Sequence, residues 1–395
     1  MGPKAIRRST GWAGGVPRAR VPAESGFTLV EIMVSLVIAT ILLGAIFYVY
    51  SISTGAYQVQ EQLMRAMEQA RFGLEELKRD IGAAGFLATP DSTADTNVCP
   101  KPVSRLQGIY FQRQGDVYEG LTNINIQPTA VVLLGAYASP EVFFTQQILN
   151  RVVTLQQTAN FPQTQGEFDS IFNANRMLRI VNAEQYEMYY RIASWDFATR
   201  TVTLTTAPPV SSPPDYCGIQ GFGVGLEVNV VNYIRYILRF DTRNGAPVDE
   251  AGRPNKVDLI REELDPSGTV VNGTRLVVAE NIADLQFYDF INDVDATGRD
   301  PNLVISPYIT NVLNPGGGGT LGLGVGARPQ DLRFVTIVLT ARTEDEDPNL
   351  VFTPRAGAFA PLLAYDSEKA LRGASRTATL AARVDIKAFQ VRNVK

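Results

Sequence analysis

The sequence Gly26-Phe27-Thr28-Leu29-Val30-Glu31 leads into an apolar run that ends near Tyr50, and no charged side chain occurs between Ile32 and Tyr50. As an α-helix, the roughly 24 residues from Phe27 to Tyr50 would be about 36 Å long. That length exceeds the roughly 30 Å thickness of the hydrocarbon core of a bilayer. Because a chain in hydrocarbon must satisfy its backbone hydrogen bonds internally, the run is predicted to form a membrane-spanning helix.

Glu31 lies in the first turns of this predicted helix, where a lone carboxylate is costly in a membrane. Such a residue usually has a partner of opposite charge. If the chain is cut after Gly26, Phe27 acquires a free α-amine, and Glu31 could pair with that amine in its own chain or in a neighbouring chain. The alternative is a signal-anchor helix in which Glu31 lies near the membrane interface.

These residues resemble the type IV prepilin signature, in which a Gly precedes the scissile bond, a Phe becomes the new N-terminus, and a Glu follows shortly after it. The resemblance implies that a membrane-embedded aspartyl peptidase cleaves between Gly26 and Phe27 and methylates the new amine of Phe27. It also implies that the helix holds the subunit in the inner membrane until assembly draws it into a filament. In that filament Glu31 would neutralise the incoming amine and set the axial register.

Residues 1–26 are predicted to be a prepilin leader that is removed. They carry five basic residues (Lys4, Arg7, Arg8, Arg18 and Arg20) and one acidic residue (Glu24). Removing them leaves 31 of the 36 basic and 39 of the 40 acidic residues, a net charge of −8. A basic flank before a single span predicts a cytoplasmic N-terminus and an exported C-terminal portion. The acidic mature chain disfavours nucleic acid as a partner.

The two cysteines, Cys99 and Cys217, are far apart and have no spacing typical of a metal site. An even number of cysteines in an exported domain favours a disulfide, with two buried free thiols as the alternative. The chain contains no histidine. This absence excludes Ser-His-Asp and Cys-His catalysis and the usual imidazole metal sites, so the protein is not expected to be an enzyme.

After the apolar half of the helix (27–50), a polar but still helical half is predicted over 51–85. Its apolar side chains recur every three or four residues, at Leu63, Met67, Ala70, Leu74, Leu77 and Ile81. This spacing predicts one buried helix face, and Gly82 and Gly85 are expected to end the helix. A free coiled-coil stalk is the alternative. The strand-rich remainder of the chain must bury one face of a sheet, however, which favours packing of the helix onto that sheet.

Residues 86–395 are predicted to be an exported, β-rich globular domain. Strand signals are weak over 87–185, which is interpreted as a variable insertion, and improve from Tyr186 onward. The later predicted strands are Tyr186–Ile192, Thr201–Thr206, Leu226–Phe240, Leu259–Leu264, Thr274–Ala279, Ile282–Phe290, Arg333–Ala341 and Thr377–Val394. Short connections between them indicate a mostly antiparallel sheet. The predicted class is α+β, a pilin-like fold with a long N-terminal helix packed on an antiparallel sheet domain.

Several later segments resemble minor pilins of the PilW type. The first is the helix-ending stretch Leu77–Phe86, although Gly82 stands where that family usually has Arg. The others are Tyr236–Arg239, Leu259–Glu262, Glu280–Tyr288 and the closing Val391–Asn393. This resemblance implies a structural subunit that helps to assemble a type IV pilus.

Asp293-Val294-Asp295-Ala296-Thr297-Gly298 has oxygen ligands at alternate positions followed by Gly, as in the first half of a calcium-binding loop. Asp293 and Asp295 are the candidate calcium ligands. Val304 occupies the twelfth position, where a bidentate Glu is required, so the loop is incomplete. The alternative is an Asp/Asn/Gly-rich turn, and no other cofactor is predicted.

The predicted function is therefore that of a minor pilin that primes assembly in a tip complex. Its expected partners are the prepilin peptidase, other major and minor pilins through the N-terminal helix, and the inner membrane before assembly. Its expected location changes from the inner membrane to the pilus at the cell surface. The alternatives are a pseudopilin of type II secretion and a tip adhesin that binds through 87–185.

Overall fold

The structure is a computed structural model that describes residues 28–113, 129–210, 217–221, 224–240, 256–288, 320–321, 332–344 and 375–391. The chain divides into two compact units, Met1–Val59 and Gln60–Lys395. Helix α1 (Leu29–Gly82) begins in the first unit and ends in the second.

In the first unit, α1 presents its side chains to the surroundings. Every large apolar side chain from Leu29 to Tyr50 is more than half exposed. No proline interrupts the segment, so the backbone can continue its hydrogen-bond ladder through the apolar run. The helical state of this run agrees with the prediction.

The described part of the second unit contains fourteen strands and two further helices. The strands are β1 (Ile109–Arg113), β2 (Thr129–Gly135), β3 (Phe143–Leu149), β4 (Val152–Leu155), β5 (Met177–Val181), β6 (Glu187–Asp196), β7 (Thr201–Leu204), β8 (Glu227–Phe240), β9 (Val257–Leu264), β10 (Leu276–Ala279), β11 (Ile282–Tyr288), β12 (Thr320–Leu321), β13 (Phe334–Arg342) and β14 (Thr377–Asp385). The helices are α2 (Gln165–Ile171) and α3 (Lys387–Val391).

Eleven of the strands form one continuous sheet. We call the part with strand order β12-β1-β2-β8-β9-β10 the helix-facing sheet, because the second half of α1 packs on it. In β8 the alternate residues Ile234, Tyr236 and Leu238 belong to the core shared with α1. Tyr233 belongs to a different cluster. The two-residue alternation places these sets on opposite faces of the sheet.

A second, three-stranded antiparallel sheet has the order β11-β13-β14. Gly73 of α1 lies between the two sheets. A Cβ atom at Gly73 would lie 2.9 Å from Leu339 Cδ2, in β13, and 3.0 Å from Ala279 Cβ, in β10. The small residue therefore lets α1 approach both sheets closely, and the three elements enclose one hydrophobic core.

The remaining pairings close a ring of six strands, β8-β3-β4-β7-β6-β5 and back to β8. We call this ring the six-stranded barrel. The start of β8 pairs with β3 on one edge and with β5 on the other, whereas the rest of β8 pairs with β2 and β9. A separate hydrophobic core fills the barrel, and Phe168 of α2 is fully buried in it. Strand β8 thus belongs to both the barrel and the helix-facing sheet.

Most predicted elements are confirmed. Strands β6 and β7 pair as the predicted hairpin, and β8 pairs with β9 along its length. Helix α1 ends at Gly82, and Gly85 has a φ of +74°, which L-residues with side chains rarely adopt.

The helix face predicted from Leu63 to Ile81 is wrong at Met67, which is 47% exposed. Ala66 and Gly73 are buried on that face instead. The physical reason is the close approach of the sheets to α1, which favours small side chains over a long methionine at the contact.

The prediction of one strand over Thr377–Val394 is also wrong, since β14 ends at Asp385 and α3 follows. The turn into α3 brings Phe389 into the core, where it is fully buried. A Cβ atom at Gly108 would lie 2.5 Å from the Phe389 ring, so the ring occupies the space that this glycine leaves.

The described residues of the stretch 87–185 are divided between two parts of the fold. Strands β1 and β2 lie in the helix-facing sheet, whereas β3, β4 and β5 lie in the barrel. Ala88 and Leu106 pack with Tyr233 on the face of the helix-facing sheet that is turned away from α1. Whether this stretch is variable stays a prediction.

Candidate membrane-anchoring and assembly site

Thr28 and Glu31 form the first turn of α1 through reciprocal hydrogen bonds. The Thr28 N–H and hydroxyl donate to Glu31 Oε2 at 3.0 and 2.9 Å, and the Glu31 N–H donates to Thr28 Oγ1 at 3.3 Å. This is a capping box, which satisfies backbone donors at a helix start. It turns the Glu31 carboxylate towards the N-terminal end of the helix, the end at which cleavage after Gly26 would leave a new amine.

Gly26 and Phe27 themselves lie outside the described residues. The cleavage between them, the methylation of Phe27 and the pairing of its amine with Glu31 therefore stay predictions. What the structure adds is that Glu31 has a defined position within a helical turn of that point.

By length and composition, α1 can cross a membrane. Its most apolar stretch has a mean hydropathy of 2.6, and none of that stretch is buried within the structure. The Thr40 hydroxyl donates to the backbone oxygens of Val37 and Leu36 at 2.8 and 3.0 Å. The Thr54 hydroxyl donates to the backbone oxygen of Tyr50 at 2.8 Å. These hydroxyls are satisfied by their own helix, which lowers the cost of placing them in hydrocarbon.

At the other end of α1, Asp80 fixes the helix to the helix-facing sheet. Asp80 is 4% exposed. Its Oδ2 accepts hydrogen bonds from Arg261 Nε of β9 at 2.8 Å and from the Tyr236 hydroxyl of β8 at 2.7 Å. The backbone oxygen of Asp80 accepts a hydrogen bond from the Tyr137 hydroxyl at 2.7 Å. We call Asp80, Tyr137, Tyr236 and Arg261 the Asp80 cluster.

The electrostatics of the Asp80 cluster keep its donors protonated. Burial, followed by the negative charge of Asp80, raises the pKa of the hydroxyls of Tyr137 and Tyr236 above the ordinary value. Burial lowers the pKa of the Arg261 guanidinium. The hydrogen bond to Asp80 and the negative charge of Asp80 raise that pKa by more, so the net shift is upward. An acidic residue in a last helical turn opposes the helix dipole, and these donors offset that cost.

Cys99 and Cys217 form a disulfide with a Cα–Cα distance of 5.2 Å. Cys99 lies in the segment that leads from α1 to β1, and its N–H donates to the backbone oxygen of Glu187 at the start of β6, at 3.0 Å. Cys217 lies shortly before β8. The disulfide therefore ties the segment after the helix to the barrel side of the second unit.

The candidate calcium ligands Asp293 and Asp295 lie outside the described residues, so that hypothesis is not tested. Within the described ranges no group of three or more Cys, Asp or Glu side chains is arranged to hold a metal ion.

The sequence patterns single out the segments that contain Asp80, Tyr236 and Arg261, but they indicate neither Tyr137 nor the contacts among the four residues. The signal was present, because Asp80 is an acidic residue on an otherwise apolar helix face, four residues after Glu76 and next to Ile81. Two of its partners, Tyr236 and Arg261, come from strands more than 150 residues away, a distance over which sequence alone gives no pairing.

Comparison with known protein families finds one match. Residues 22–47 match the family described as "Prokaryotic N-terminal methylation motif", a stretch that includes Gly26, Phe27, Glu31 and the apolar start of α1. No curated protein and no solved structure matches the chain. The match implies processing by a prepilin peptidase and association with pilins and the membrane. The chain carries the type IV prepilin signature, which supports a pilin-like or pseudopilin-related protein.

Proposed function

We propose that this protein is a minor pilin of the PilW type, a structural component that primes the assembly of a type IV pilus in a tip complex. The observation that carries this proposal is the combination of a prepilin signature with a large second unit, Gln60–Lys395. That unit contains a six-stranded barrel in addition to the sheets that cover α1. Such bulk suits a position at the end of a filament, where subunits need not repeat laterally.

In this function the exposed apolar half of α1 packs first with lipid and then with the helices of other pilins. Glu31 neutralises the N-terminal amine of a subunit during assembly, and the Asp80 cluster holds the globular unit on its helix. The protein acts by assembly and carries out no reaction.

The experiment is a count of surface pili after in-frame deletion of the gene, with and without the retraction motor. A priming subunit favours assembly over disassembly, so pili should disappear on deletion and return when retraction is also blocked. An unchanged number of pili in both strains contradicts priming. Secretion lost while pili remain intact identifies a pseudopilin of type II secretion instead.

The assembly role of Glu31 has its own test. Glu31→Gln removes the charge and keeps the side-chain size, so leader cleavage should continue while incorporation into pili falls. Immunoblots of membranes and sheared pili, with a tagged chain, separate the two steps. Equal incorporation of Glu31→Gln and the unchanged protein contradicts the role.

A second candidate function, a tip adhesin, is favoured by the barrel, which has a hydrophobic core of its own beside the helix-facing sheet. The same strains test it. If pili return in the deletion strain when retraction is blocked but attachment to surfaces does not, the protein contributes to binding as well as to assembly. If attachment returns together with the pili, the adhesin candidate is excluded.

A further inference from the structure

Three arginines converge on one carboxylate on the face of the helix-facing sheet turned away from α1. Arg235 donates from Nε to Glu262 Oε1 at 2.8 Å and also from Nη2 to that oxygen. Arg239 Nη2 donates to Oε1 at 3.0 Å, and Arg275 Nε donates to Oε2 at 3.2 Å. We call these four residues the Glu262 cluster.

The position of the Glu262 cluster follows from the strand alternation. Arg235 and Arg239 alternate in β8 with Ile234, Tyr236 and Leu238, which face the core with α1. Glu262 is the cross-strand partner of Arg235 in β9. The cluster therefore lies on the opposite side of the sheet from the Asp80 cluster.

The charges in direct contact do not balance. Among the described residues, three guanidinium groups contact one carboxylate, which leaves two positive charges in excess at this contact. Burial works against ionisation, but hydrogen bonds from Arg239 and Arg235 hold the pKa of the Glu262 carboxyl below its ordinary value, so it is charged at neutral pH. The nearest acid along the same face of β9 is Asp258, the cross-strand partner of Arg239. Lys256 lies 3.9 Å from the Asp258 carboxylate and 2.9 Å from that of Glu280.

The Glu262 carboxylate has no oxygen without a hydrogen bond, whereas Arg239 and Arg275 are still partly exposed. The Glu262 side chain is fully buried and both of its oxygens already accept hydrogen bonds. The side chains of Arg239 and Arg275 are 34% and 57% exposed. A guanidinium has five N–H donors in a planar fork, so Arg239 and Arg275 retain donors that an incoming oxyanion can accept.

We propose that Arg239 and Arg275 form a binding site for a phosphate group that carries two negative charges. A phosphate dianion is attracted by the positive charge of the three guanidinium groups, and its several oxygens can accept hydrogen bonds from both guanidinium forks at once. Glu262 and Arg235 position the two binding residues and are not expected to contact the ligand. The site is separate from the predicted assembly machinery and does not depend on the proposed pilin function.

The test uses the purified full-length chain in detergent micelles and isothermal titration with inorganic phosphate at pH 7.5. Glucose 6-phosphate forms a second arm, with glucose as its uncharged control, to distinguish a free ion from a phosphate carried on a sugar. We expect saturable binding of at least one phosphate probe and none of glucose. The double variant Arg239→Gln/Arg275→Gln should lose at least tenfold in affinity. The control Arg65→Gln, which removes an exposed arginine on α1, should bind as the unchanged chain does.

A repeat at pH 5 adds a second readout. A phosphate monoester loses its second charge with a pKa of about 6, whereas the arginines stay charged, so affinity should fall severalfold from pH 7.5 to pH 5. Circular dichroism of each variant establishes that it is folded, and the single variants Arg239→Gln and Arg275→Gln replace the double variant if it is not. The absence of saturable binding, or equal affinity for the folded arginine variants and the unchanged chain, overturns the proposal.

Discussion

Arg261 in β9 donates a hydrogen bond to Asp80 at the end of α1 over 2.8 Å, although the two residues are 181 positions apart in the sequence. The contact joins the only long helix among the described elements to the middle of the helix-facing sheet. Both side chains are largely buried and compensate each other's charge, and Arg79 Nε makes a further contact with Asp80 Oδ1 at 3.1 Å.

Asp80→Ala should destabilise the second unit by about 3–5 kcal/mol, because it leaves the Arg261 charge and the Tyr236 hydroxyl without their acceptor. The measurement is chemical unfolding of the full chain in micelles, followed by the fluorescence of Trp195 in β6. The matched control is Glu61→Gln, which breaks the exposed pair with Arg65 on the same helix and should cost under about 0.5 kcal/mol. Similar losses for the two variants would contradict the importance of the Asp80 cluster.

The contribution of Asp284, in β11, to the free energy of unfolding should fall as the pH rises. Burial raises the pKa of its carboxyl to about 6, with hydrogen bonds from Gln286 and Leu285 acting against the shift. Between pH 4 and 6 the folded chain therefore holds a proton that the unfolded chain has lost, so this group's contribution falls as pH rises through that window. Asp284→Asn keeps the acceptor for Gln286 and should gain roughly 1–2 kcal/mol at pH 7.

The pH dependence of Asp284→Asn is the decisive readout. The gain over the unchanged chain should shrink steadily from pH 7 to pH 4, because the unfolded-state carboxyl, with a pKa of about 3.9, also becomes protonated as the pH falls. Unfolding midpoints in denaturant at pH 4, 5, 6 and 7 give this difference directly. A gain that is equal at all four values would show that titration of Asp284 is not its source.

Gly73→Ala should destabilise the packing of α1 by about 1–2 kcal/mol. An alanine normally improves a helix interior by up to about 1 kcal/mol over glycine, but here its Cβ would lie 2.9 Å from Leu339 and 3.0 Å from Ala279. The control is Gly82→Ala, whose Cβ would meet only ordinary contacts at 3.8 Å and beyond. Circular dichroism during heating should give Gly73→Ala a lower melting temperature than the unchanged chain. The melting temperature of Gly82→Ala should equal or exceed that of the unchanged chain. The reverse order would exclude close packing at Gly73.

The disulfide should contribute about 5 kcal/mol in the chain-entropy model, because it closes a loop between residues 118 positions apart. Cys99→Ser/Cys217→Ser should lower the midpoint of unfolding, and a reducing agent should lower that of the unchanged chain to a similar value. The double variant itself should not respond to the reductant. A response of the double variant would point to an effect of the reductant other than on this bond.

The sequence by itself determined the N-terminal part of the protein. The cleavage motif and the charge-free helix are local features, because backbone hydrogen bonds in a helix join residues that are close in sequence. A chain in hydrocarbon also has few alternatives to a helix. It also determined most strands from Tyr186 onward, because alternation with a period of two is readable along a single strand.

Apart from the β6–β7 and β8–β9 pairs, only the tertiary structure decided which strands meet. The closure of the barrel through β8, the burial of Ala66 and Gly73 in place of Met67, and the turn into α3 that buries Phe389 depend on partners distant in sequence. The same holds for the Asp80 and Glu262 clusters, whose charges are compensated across strands. A charged residue on a pattern of apolar positions indicates that it needs a partner, but the identity of that partner is set by which side chains the folded sheets bring within hydrogen-bonding distance.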